Sequence, residues 1–138
     1  EISADVKAKI ADLFWAGCCN DDETKAEIKS TFENYNYLLD THTAVAVKVY
    51  EDYKKATGDE TKTVIASTAN PYKFSGAVYE AIGGKVSEDE WQTIADLEAK
   101  TGTKMPAPLA ATKNKEIRFT GCVEKQEMPA VVCDFLKS

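Results

Sequence analysis

The sequence predicts an α/β protein, rich in helix and carrying a small parallel or mixed sheet. Three observations point there. "KTVIAS", Lys62 to Ser67, is a short β-branched run that stops sharply at Thr68, as a buried strand does. A second short run, "IRF" at Ile117 to Phe119, reads as a short strand. Nearly everything else repeats its apolar residues at helical spacing between recognisable caps.

Taken in order, Ser3 caps a helix whose apolar face is Val6, Ile10, Leu13 and Phe14, closed by Gly17. Asn20 and Glu23 have capping-box spacing ahead of a second helix with Ile28, Phe32 and Tyr35 on one side. After "YLLD", Asp40 or Thr41 caps a third helix, with His42 and Thr43 in its first turn and a stripe of Val45, Val49, Tyr50 and Tyr53 running to Gly58. The expected strand at Lys62 to Ser67 comes next. Asn70 then caps and Pro71 takes the favoured first helical position, followed by Phe74, Val78, Ala81 and Ile82 until Gly83-Gly84.

Ser87 and Glu90 make a further capping box before Trp91, Ile94, Ala95 and Leu97, and Gly102 stops that helix. "MPAPLA", Met105 to Ala110, reads as extended because the residue before a proline avoids the helical region. The closing helix carries Met128, Val131, Val132 and Phe135 on one face and tolerates Pro129 only in its first turn. No repeat, low-complexity tract or linker divides the chain, so residues 1–138 are expected to form a single domain.

Composition narrows the classes. A chain of 138 residues can bury a sizeable core, roughly 68–70% of its unfolded surface. Lys and Arg number 17 against 23 Asp and Glu, a net charge of -6, and the basic residues are scattered. Counterion release from a nucleic acid needs a clustered positive face, so nucleic acid is not an expected partner. No apolar run approaches the roughly 18 residues of a membrane span, so a membrane is not expected either. Cys18-Cys19, Cys122 and Cys133 lack the spacing of a zinc site or a disulfide framework and read as reduced thiols of a cytoplasmic protein, with no metal site. The chain begins at Glu1 and has no methionine before Met105, which marks it as an expected portion of something longer.

Two corners carry candidate chemistry. A strand ending at Ser67-Thr68 and feeding a helix at Asn70-Pro71 puts a hydroxyl pair at the carboxyl edge of a sheet, where α/β folds bind ligands. The plainer reading is that Ser67, Thr68 and Asn70 only cap the helix. "LLDTHTAVA" places the single histidine, His42, at a helix N-terminus, where free N–H groups favour anions; a structural histidine beside a cap is the plainer alternative. A self-contained hydrolase built on His42 lacks a nucleophile signature such as GxSxG.

These segments carry a resemblance. "STANPYKFSGAV" is similar to the STA-x-P-x-KF segment of threonine synthases, pyridoxal-phosphate enzymes that convert O-phosphohomoserine to threonine and phosphate. "LLDTHTAVAVKVYEDY" resembles their D-P-H-T-A-V-A segment, and "GCCNDDET" their G-x-C-D-D-E-E turn. The likeness is good from Gly17 to Gly84 and looser to the terminal helix. Thr41 replaces a usual proline, and Asn70 a common histidine or serine.

The resemblance implies the tryptophan-synthase-like fold type II architecture and a role for Thr68 as hydroxyl partner of the cofactor's pyridine nitrogen. It sets Ser67 beside Thr68 as cofactor-binding, and His42, Thr43 and Asn70 along the wall. Lys73 joins them either facing a substrate phosphate or paired with an acidic neighbour. No lysine here has the family's Schiff-base context and no glycine cluster resembles its phosphate loop, so the expected identity is a carboxy-terminal portion, with no confident catalytic residue and no activity or cofactor of its own. Self-association through surfaces meant for the missing portion is expected. The competing reading is an acidic, helix-rich regulatory or binding module that kept the fold without the chemistry.

Overall fold

A computed structural model of the chain describes residues 1–137. Its regular elements are all helical: α1 (Ala4–Ala11), α2 (Asp21–Tyr35), α3 (Thr41–Thr57), a 3-10 turn at Pro71–Phe74 continuing into α4 (Ser75–Ala81), α5 (Glu90–Thr101), α6 (Ala107–Ala110) and α7 (Met128–Phe135). Among the described residues there is no strand, so the expected α/β class with its small parallel or mixed sheet is wrong. The reason is pairing. A strand exists through ladder bonds to a neighbour, and the β-branched run Lys62 to Ser67 carries no regular structure, with Val64 95% exposed and no strand among the described residues to pair with. "IRF" fails in the same way, with Ile117 and Phe119 both exposed.

The caps form largely where the sequence puts them. Ser3 accepts from the Val6 N–H, and Asn20 and Glu23 close a reciprocal capping box. Asp40, not Thr41, caps α3. Asn70 accepts from the Tyr72 N–H with Pro71 just inside the turn. At α5 the cap is Asp89, not Ser87; Ser87 instead accepts from the Asp89 N–H and donates its own N–H to the Thr93 hydroxyl. Gly102 ends α5 at φ 69°, a left-handed conformation that costs glycine nothing. "MPAPLA" is extended only at its start, since Pro106 precedes the short α6.

The core lies where α2 packs on α3 and α4, and α4 on α5. Ile28, Val78 and Leu97 are fully buried, joined by Leu39, Ala44, Tyr72, Ala81, Ile82 and Ile94. Burying a side chain of this size contributes about 1.5–3 kcal/mol. Tyr72 also anchors the 3-10 turn to the end of α5, its hydroxyl 2.7 Å from that of Thr103. By contrast α1 and α7 bury nothing: Val6, Ile10, Leu13 and Phe14 at one end, and Met128, Val131 and Val132 at the other, are exposed. Their amphipathic faces were legible in the sequence, and those side chains are exposed in the structure.

Candidate functional site

The start of α3, the irregular segment around Ser67 and the 3-10 turn converge on one corner. Asp40 organises it. Its carboxylate is buried; Oδ1 accepts from the N–H groups of His42 at 2.9 Å and Thr43 at 3.2 Å, and Oδ2 from the Thr43 hydroxyl. Burial acts to raise the Asp40 pKa, yet the hydrogen bonds from the Thr43 side chain and from the two backbone N–H groups outweigh it. The net effect holds the carboxyl below its ordinary value.

Thr43, itself buried, brings in the second segment: its Oγ1 lies 3.1 Å from Oγ of Ser67, 24 residues further on. This contact joins the two candidate corners of the sequence. Ser67 stands at the meeting of two clefts. One, of about 510 Å3, is lined by Glu27, Thr31, Thr43, Tyr50 and Ile65 as well as Ser67. The other, of about 370 Å3, adds Asn70, Tyr72 and Thr103.

His42 is exposed, its ring 4.9 Å from that of Phe74 and tilted by 52°. Its Nδ1 sits 3.3 Å from the Thr41 hydroxyl and 3.4 Å from Asp40 Oδ1. The histidine therefore bridges the start of α3 to the 3-10 turn. Thr68 is exposed, and its hydroxyl has no hydrogen-bond partner among the described residues. Lys73 is set apart: it lines a separate hollow with Gly76, Glu88, Glu90 and Thr93, and it makes no ion pair within the described residues. The structure thus gathers Ser67, Thr43, His42 and Asn70 around one corner and leaves Lys73 outside it.

Two contributors were not foreseen as site residues. Asp40 was legible as a cap but not as the anchor of a hydroxyl chain; the signal was an aspartate three residues before Thr43. Nothing in the spacing announced the pairing of Phe74 with His42. Among the described residues no three His, Cys, Asp or Glu side chains converge as metal ligands would.

Residues 43–132 match the family described as threonine synthase, C-terminal. The chain belongs to that family. The matched stretch contains Thr43, Ser67, Thr68, Asn70 and Lys73, and begins one residue after His42. No curated protein matches the chain. The family ties the chain to threonine biosynthesis and implies pyridoxal phosphate in the full-length enzyme. The side chains present fit the pyridine edge of that cofactor: they are neutral hydroxyls, one of them, Thr68, exposed and unbonded. A neutral hydroxyl can donate to an unprotonated ring nitrogen without forcing a proton onto it.

Among the described residues no helix is long and apolar enough to cross a membrane.

Proposed function

We propose that this chain supplies one wall of the cofactor site of a threonine synthase that converts O-phospho-L-homoserine and water to L-threonine and phosphate, and that it has no turnover alone. The observation that carries the reading is the 3.1 Å contact between Thr43 and Ser67, which brings two family-like segments, far apart in sequence, to one corner. When bound, pyridoxal phosphate supplies the electron sink for the elimination and hydration chemistry. This chain's residues hold and tune it. Thr68 donates to the pyridine nitrogen, Ser67 lies beside it, and Asn70, His42 and Thr43 shape the wall. Lys73, in its own hollow, is kept out of this assignment. The protein belongs in the cytoplasm on this reading, in keeping with four free thiols.

The test is Thr68→Val in the full-length enzyme. The substitution keeps the shape and removes the donor, leaving the ring nitrogen against a methyl group. An unsatisfied buried partner costs about 1–3 kcal/mol, so cofactor affinity and turnover should fall together by roughly tenfold to a hundredfold. Unchanged affinity and rate would remove Thr68 from the site.

A further inference from the structure

The inward face of α2 is set by its helical period: Thr24, Glu27, Ile28 and Thr31 are its buried residues. Glu27 is the costly member, because a carboxylate taken out of water needs donors around it. It is 7% exposed, yet it takes a single hydrogen bond, from the Thr31 hydroxyl to Oε1 at 2.9 Å, and makes no ion pair among the described residues. The two oxygens of a carboxylate accept about four donors in all, and Oε2 has none. No fully buried side-chain oxygen or nitrogen among the described residues lacks a partner. Oε2 therefore keeps access to open space, and the space that Glu27 lines is the cleft of about 510 Å3, the volume of a small-molecule site.

The rest of the lining narrows what fills it. Glu27 and Glu51 are its carboxylates, and its one cation, Lys54, lies over the ring of Tyr50 with Nζ 4.8 Å from the centroid. The lining is thus negative on balance, and one of its rings already takes an ammonium on its face. A guanidinium fork engages both oxygens of a carboxylate at once, and here Thr31 holds one of them. A metal ion needs several ligands, and no three His, Cys, Asp or Glu side chains converge among the described residues. An ammonium needs only the free oxygen for one of its three donors, and the hydroxyls of Thr43 and Ser67 line the same cleft.

We propose that the cleft lined by α2 and α3 binds a small molecule through a primary ammonium group, held by Glu27 Oε2. This site goes beyond the proposed cofactor wall and stands without it.

Propylammonium chloride, titrated into the full-length enzyme and followed by saturation-transfer NMR, is the probe. Glu27→Gln keeps the side-chain shape and removes the charge, so it should weaken binding roughly tenfold to a hundredfold, the scale of a hydrogen bond to a charged group. Glu51→Gln, on the same cleft, should change binding by no more than about threefold. Equal losses would mean that the general field of the lining holds the ion, which overturns the site. Should Glu27→Gln fail to fold by circular dichroism, the unaltered enzyme still decides. Tetramethylammonium carries the charge but no N–H, and it should bind at least about tenfold more weakly than propylammonium. Equal binding of the two ions, or no saturable binding of propylammonium, overturns the proposal. Binding to this chain but not to the full-length enzyme overturns it too, because the rest of the enzyme then covers Glu27.

Discussion

Asp40→Ala separates what the corner contributes to folding from what it contributes to chemistry. The substitution removes the cap of α3, where one carboxylate oxygen takes the N–H groups of His42 and Thr43, and it takes the charged acceptor from the Thr43 hydroxyl, which is only 4% exposed and keeps Ser67 Oγ as its remaining partner. Loss of an aspartate cap costs about 1 kcal/mol, and loss of a hydrogen bond to a charged group about 1.5–3 kcal/mol. The terms share Thr43 and do not add in full, so the expected loss is about 2–3 kcal/mol. For a chain of this length that lowers the unfolding midpoint by roughly 7–10 °C. The pH dependence has a definite sign. The folded Asp40 carboxyl lies below its ordinary value, so its contribution is complete above the unfolded pKa of about 3.9 and is lost as pH falls through the folded value. The difference between the parent chain and Asp40→Ala, followed by circular dichroism in urea, should be flat from neutral pH down to about pH 5 and shrink below about pH 4. A loss under about 0.5 kcal/mol, or a difference that grows as pH falls, would refute this account of the cap.

Leu97 is fully buried between α5 and its neighbours, so Leu97→Ala should cost about 3–4 kcal/mol by denaturant unfolding, whereas Val132→Ala on the exposed face of α7 should stay within about 0.5 kcal/mol. Equal costs at the two positions would mean that the core is misplaced. The exposed apolar faces of α1 and α7 should make the isolated chain associate, seen as a rising sedimentation coefficient across a concentration series; a strictly monomeric species at every concentration would show that those faces do not drive contact.

What was legible in the sequence was local. Asn20 with Glu23, Asp40 with Thr43 and Asn70 with Tyr72 are contacts across two or three residues, so the spacing that suggests each cap is also the distance over which it forms. The apolar stripe of Phe74, Val78, Ala81 and Ile82 was equally readable, because a helix face is set by its own period. Composition could not reveal whether Lys62 to Ser67 has a neighbour. Val64, Ile65 and Ala66 have the character of a buried strand, but ladder bonds come from another segment, and periodicity within one run carries no information about that. The same reasoning explains α1 and α7: their amphipathic pattern says that one face should be covered and is silent on what covers it.

The candidate site shows the limit most sharply at Asp40. As a helix cap it looks like Asp89, which accepts from the Trp91 N–H at 2.9 Å on an exposed surface. What distinguishes Asp40 is that its second oxygen meets the hydroxyl of Thr43, and that this hydroxyl faces Ser67 across 24 residues of chain. A cap with an exposed far side stabilises its helix and stops there. A buried cap whose second oxygen takes a hydroxyl that also touches another segment holds that hydroxyl, and with it the approach of the two segments, in place. The two caps differ three residues on, where Thr43 follows Asp40 and Gln92 follows Asp89, and only the fold brings that threonine to Ser67, a contact held by a residue that lines neither of the clefts in which Ser67 lies.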